Sequence, residues 1–191
     1  MRDDDLGRQL LAVARHAIAD ELGLAIAWPA TNGALQRPGA TFVTLFCSGE
    51  LRGCIGSLRA TRALGVDVRE NALAAAFRDP RFSPLAAEEF KATSVEVSLL
   101  SSPESVRFDT EEALVTRLRP GIDGVTLEIG DQRATFLPQV WETLPDPRAF
   151  LAALKDKARL PADFWSPRLN VALYEVTKWK ESDFSRASMP S

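Results

Sequence analysis

The chain has 191 residues, 46% of them hydrophobic, with a formal net charge of -3. That is enough for one sizeable folded unit, and the mild acidity argues against broad nucleic-acid binding, which needs a basic face. Two cysteines are too few for a disulfide framework, and a single histidine, His16, excludes any intrachain site that requires two imidazoles. No carboxylate cluster has ligand spacing and no strand-GxGxxG-helix or P-loop signature appears, so no metal or other cofactor is expected.

Residues 4–22 place Leu6, Leu10, Val13, Ala14, Ala17, Ile18 and Leu22 at helical spacing, after an aspartate run and before Gly23. His16 falls one position off the main apolar stripe, which predicts a boundary or surface histidine. The opening MRDDDLGRQL is acidic and amphipathic, unlike a signal peptide, and no apolar run reaches the roughly 18 residues of a membrane helix. The cytoplasm is the expected location. Residues 24–40, with Pro29, Asn32, Gly33, Pro38 and Gly39, read as a long ordered loop.

The stretch ATFVTLFCSGELRGCIGSL then predicts a hairpin turning at Ser48-Gly49-Glu50. A three-residue turn sets Cys47 opposite Leu51 and Thr44 opposite Cys54. Strict alternation puts Leu51, Gly53 and Ile55 on the core face with Val43 and Leu45. It places Arg52, Cys54 and Gly56 on a mixed face with Phe42, Thr44 and Phe46. The cysteines then sit on different faces and cannot easily bridge.

A second helix is expected over 62–78, ended by Asp79-Pro80-Arg81-Phe82 because proline cannot continue the ladder. Residues 94–100 form a strand with Glu96 on the face opposite Val95 and Val97. A short helix follows at 110–118, and a hairpin joins 124–129 to 133–137 around Gly130-Asp131. Helical patterns return at 139–144 and 147–158, and 168–179 reads as one closing strand. Hairpins interleaved with helices place the chain in the α+β class. Residues 185–191 are polar and read as a loose tail.

LRGCIGSL, AAFRDPRFSPL, VEVSLLS and TFLPQVW, in that order, resemble the AMMECR-type domain, whose bacterial members are AmmeMemoRadiSam system protein A. The likeness runs from about residue 6 to residue 180, with LRGCIG as the signature hexapeptide. It implies two lobes over 1–184 around a central cleft, built on an antiparallel, barrel-like sheet with flanking helices. It also implies association with a Memo-type protein and a radical SAM protein. One departure stands in Lys157-Ala158-Arg159-Leu160, where Arg159 occupies the position of the family's glycine and argues against a left-handed turn.

Chemistry at the hexapeptide would use Cys54 as nucleophile or redox thiol, favoured as thiolate by Arg52. Gly53 and Gly56 would admit a ligand or another backbone, and Arg81 and Glu96 would hold substrate. Cysteine hydrolases pair the thiolate with a histidine base, and His16 lies far away in sequence on the first helix. The competing reading makes the glycines hosts of a bulge, Cys54 a small apolar group, and Arg52 the partner of a carboxylate. The expectation is a binding component, of a small molecule or a protein, in the AmmeMemoRadiSam set. A pathway enzyme using Cys54 is the alternative, and a nucleic-acid-associated regulator is a third and disfavoured one.

Overall fold

The structure is a computed structural model that describes residues 3–27 and 33–185. In chain order the elements are α1 (Asp4–Glu21), β1 (Pro38–Cys47), β2 (Glu50–Gly56), β3 (Arg62–Ala63), α2 (Leu64–Phe77) and β4 (Thr93–Leu100). They continue with β5 (Glu104–Val106), α3 (Glu111–Arg117), β6 (Gly124–Ile129), β7 (Gln132–Phe136) and α4 (Pro147–Lys157). The chain then closes with β8 (Asn170–Tyr174), β9 (Val176–Lys180) and α5 (Ser182–Ser185). Short 3₁₀ turns lie at Gly33–Gln36, Phe90–Ala92 and Pro138–Glu142. Helices and antiparallel strand pairs make the class α+β.

The described residues form two compact units, one drawn from Met1–Leu100 with Thr177–Ser191, the other Ser101–Val176. In the first, the strand order is β2-β1-β4-β9, with β3 pairing on the start of β1. Val43, Leu45, Val95 and Val97 alternate onto one face, where α1 and α2 bury Leu10, Ala14, Ile18, Val68 and Ala72. The Asp3 side chain caps α1 by accepting from the Leu6 N–H at 3.0 Å. His16 is buried rather than peripheral, at 4% exposure. Because α1 packs against both α2 and β4, its buried arc is wider than a single stripe.

The second unit carries a sheet in the order β5-β8-β6-β7. Its core holds Leu114, Val125, Leu127, Leu151, Leu154 and Val171. Trp141 stacks on Phe150 with ring centroids 3.8 Å apart, and its indole N–H donates to the Asp123 carbonyl at 2.7 Å.

Several expectations are corrected. The antiparallel strands make two open sheets rather than a barrel-like one, since among the described residues neither strand path closes on itself. The single closing strand is two. β8 serves the second sheet and β9 the first, and the break falls at Glu175, whose backbone pairs instead with Ser101. Alternation alone cannot register a change of partner. Arg159 does adopt a left-handed conformation (φ 60°), closing α4 with Leu160 N–H to Lys155 O and Arg159 N–H to Asp156 O. Pro29 and Asn32 of the expected loop, and residues 186–191 of the expected tail, lie outside the described residues, while Ser185 ends α5.

Candidate functional site at the LRGCIG strand

The hairpin that carries LRGCIG turns on Ser48 and Gly49 alone, both with positive φ (52° and 88°), and Cys47 pairs with Glu50 rather than Leu51. Such a two-residue turn matches the twist of the flanking strands. Thr44 nevertheless lies opposite Cys54, as expected from the longer turn, because the register shifts once between Leu45 and Phe46. Leu45 faces Gly53 and Phe46 faces Leu51, which leaves Arg52 as the extra residue of a bulge. The bulge also ejects Leu51 from the expected core face, and it is 42% exposed.

The space beside Gly53 belongs to α2. A Cβ there would collide with the Ala75 carbonyl oxygen and sit 3.0 Å from its carbon. At Gly56 a Cβ would enter the Phe42 ring. The two glycines thus let a helix and an aromatic ring press against the strand.

Released by the bulge, Arg52 forms a bidentate pair with Glu89, Nε to Oε1 at 2.9 Å and Nη2 to Oε2 at 3.0 Å. Its Nη2 also reaches the Pro84 carbonyl at 3.4 Å, and its Nη1 is buried with no hydrogen-bond partner among the described residues. Arg52, followed by the Ala86 N–H, holds the Glu89 carboxyl at about 2, far below its ordinary value.

The DPRF segment meets the same strand from its outer edge. The Asp79 carboxylate accepts the Cys54 backbone N–H at 2.9 Å, while Arg81 Nη2 donates to the Cys54 carbonyl at 3.3 Å. Asp79 and Arg81 are themselves paired at 2.6 Å. One carboxylate and one guanidinium therefore occupy the edge positions that a further strand would use. Arg81, with help from the Cys54 and Arg81 N–H groups, drives Asp79 well below the usual carboxylate range against the opposing effect of burial. The Phe82 ring centre lies 5.8 Å from the Arg52 guanidinium and 5.4 Å from that of Arg81, tying the two motifs together.

Cys54 lies half-buried on the sheet face turned away from α1 and α2. Its sulfur accepts the Thr44 hydroxyl at 3.3 Å. Thr44 is the partner of both Cys54 and Glu96, so thiol, hydroxyl and carboxylate form one cross-strand row. Glu96 is buried and ion-paired with Lys178 at 2.9 Å and Lys180 at 3.4 Å. Arg81 reaches Cys54 at its backbone carbonyl, whereas Arg52 is committed to Glu89. The structure thus sorts the charged and thiol candidates by their bonds: Cys54 and Glu96 share the row through Thr44, Arg81 holds its edge with Asp79, and Arg52 is paired with Glu89.

Sequence reasoning missed a polar cluster at the end of the hexapeptide. Asp67, fully buried, accepts the Thr41 N–H and hydroxyl, each at 2.7 Å, along with Ser57 Oγ, Arg62 Nε and Asn71 Nδ2. Asn71 Nδ2 also donates to the Thr41 carbonyl at 2.9 Å. Asp67 and Asn71 are spaced i, i+4 beside the apolar stripe of α2, a signal that both face inward. The cluster fastens α2 to β1 and to the segment after β2.

Residues 11–179 match the sequence profile of the AMMECR1 family. The chain belongs to the AMMECR1 family. A protein of Methanothermobacter thermautotrophicus is 37% identical over 183 residues, covering 93% of this chain and 95% of its own. Protein SSO0193 of Saccharolobus solfataricus is 35% identical over 195 residues, covering 95% and 86% respectively. Among solved structures, the crystal structure of uncharacterized protein PH0010 from Pyrococcus horikoshii superposes with a TM-score of 0.77 at 32% identity, over 95% of this chain and 93% of that one. The likeness to these AMMECR1-family proteins extends through both units.

Proposed function

We propose that this AMMECR1-family protein is a binding component, engaging a small molecule or a protein, that acts with a Memo-type protein and a radical SAM protein. The observation that carries the reading is the commitment of both signature arginines to carboxylates, Arg52 to Glu89 and Arg81 to Asp79. Those pairs frame the Cys54–Thr44–Glu96 row as a rigid binding surface, with the sulfur held by a hydroxyl rather than by a base. The support for the two partners is the family resemblance of the sequence.

The test is reconstitution with the Memo-type and radical SAM proteins, using wild-type protein and Cys54→Ser. The expected result is co-purification with either partner and unchanged product with the variant. A folded Cys54→Ser protein that binds its partners normally yet abolishes product would refute it.

The second reading is a pathway enzyme with Cys54 as nucleophile or redox thiol. It is favoured by the hydrogen bond from Arg81 to the Cys54 carbonyl and by the Glu96 carboxylate in the same row.

A further inference from the structure

A pocket of about 310 Å³ opens within the second unit, independent of the hexapeptide strand. Val106, Leu173 and the buried Tyr174 supply its apolar wall. Beside them Asp123, fully buried, accepts the Arg119 backbone N–H at 2.8 Å and Arg119 Nε at 3.1 Å. Arg119 Nη2 also donates to Glu175 at 2.8 Å. That trio is pre-organised, and its guanidinium is already spent on two carboxylates.

The other charged side chains lining the pocket are Arg117, at the end of α3, and Glu104, at the start of β5. Both are exposed, and neither side chain has a hydrogen-bonding or ionic partner among the described residues, including each other. A free guanidinium and a free carboxylate thus share one concave, partly apolar surface without neutralising one another. A purely anionic ligand would meet Glu104, Asp123 and Glu175 there, and a purely cationic one would leave Arg117 unused. A ligand carrying both charges satisfies each group.

We infer that this pocket binds a small zwitterion of the α-amino-acid class. The ligand carboxylate lies on the Arg117 fork, its ammonium on Glu104, and an apolar side chain against Val106 and Leu173. The pocket volume accommodates a free amino acid and sits at the small end of ligand sites.

The test uses three matched probes on the full chain: L-leucine, 4-methylpentanoate, which lacks the ammonium, and isopentylamine, which lacks the carboxylate. Backbone amide shifts at residues 104–106, 117–119 and 173–175 report occupancy. L-leucine is expected to perturb these amides and to bind at least about fivefold tighter than either half-probe, as charge-assisted contacts at both ends require. Arg117→Ala should abolish the preference over isopentylamine, and Glu104→Gln the preference over 4-methylpentanoate. Because both side chains are exposed, neither variant threatens folding. Equal binding of all three probes, binding insensitive to both substitutions, or no perturbation by L-leucine up to about 50 mM, well past the millimolar range, would overturn the inference.

Discussion

Replacing Gly53 with alanine would add one methyl group at the point where β2 meets α2. The new carbon would overlap the Ala75 carbonyl oxygen and lie 3.0 Å from its carbon, against a normal C···O approach of roughly 3.3 Å or more. The obstacle is helix backbone, which no rotamer change can remove, so α2 must move away from the sheet or the bulge at Arg52 must reset. Either shift strains the packing of Val68, Ala72 and Ala75, all essentially inaccessible to solvent. Overpacking of a close-packed interior costs typically 1–3 kcal/mol, and the rigid obstacle places this site at the upper end, about 3 kcal/mol. In a chain of this length that lowers the melting temperature by about 6–12 °C. Urea unfolding followed by circular dichroism measures it. Gly49→Ala is the control: nothing lies within 4 Å of its added carbon, so only the strain of its positive φ remains, about 1 kcal/mol. A Gly53→Ala protein within about 0.5 kcal/mol of wild type would refute the claim that this glycine exists to admit the helix.

The pH dependence of stability follows from Glu89 and Asp79. Both carboxyls lie below their ordinary values when folded, so their contribution is complete above the unfolded values and is lost as pH falls through the folded ones. The melting temperature should therefore decline from about pH 5 down to about pH 2, with a shallower slope in Glu89→Gln. Asp67→Ala strips the carboxylate from a buried cluster and leaves its donors unsatisfied, so a loss of about 3–5 kcal/mol is expected in urea unfolding. Arg159→Gly relieves a left-handed arginine and should raise stability by about 0.5–1 kcal/mol net of the extra freedom glycine gives the unfolded chain, read by calorimetry.

Much of the first unit is legible in the residues themselves. The aspartate-led stripe of α1 and a hairpin turning at Ser48-Gly49 follow from periodicity and turn chemistry, whereas Thr44 meets Cys54 because the bulge at Arg52 makes up for a turn one residue shorter than expected. Strict alternation fails at Arg52, because the extra bulge residue resets the faces. The arginine expected beside Cys54 thereby joins Glu89, and the guanidinium that bonds the Cys54 backbone comes from Arg81. The competing reading, a bulge hosted by the glycines with Arg52 paired to a carboxylate, is the one the strand follows, and the bulge is fixed in place by what packs on the strand, here the last turn of α2 at Ala75. Glu89 was invisible for a similar reason: an exposed-looking Ala-Glu-Glu-Phe gains its role only through a partner 37 residues away. The break between β8 and β9 was hidden because only Glu175 separates them, with no glycine or proline to mark a boundary.

The central claim is that LRGCIG is a frame held by committed ion pairs, with Cys54 a lining residue rather than an activated nucleophile. Its most direct test is the alkylation rate of Cys54 by iodoacetamide at neutral pH, located by mass spectrometry in Cys47→Ala, Cys47→Ala/Arg81→Ala and Cys47→Ala/Arg52→Ala proteins. The account predicts a rate below that of free cysteine and no slowing when either arginine is removed. A rate well above free cysteine that collapses on loss of Arg81 or Arg52 would contradict it.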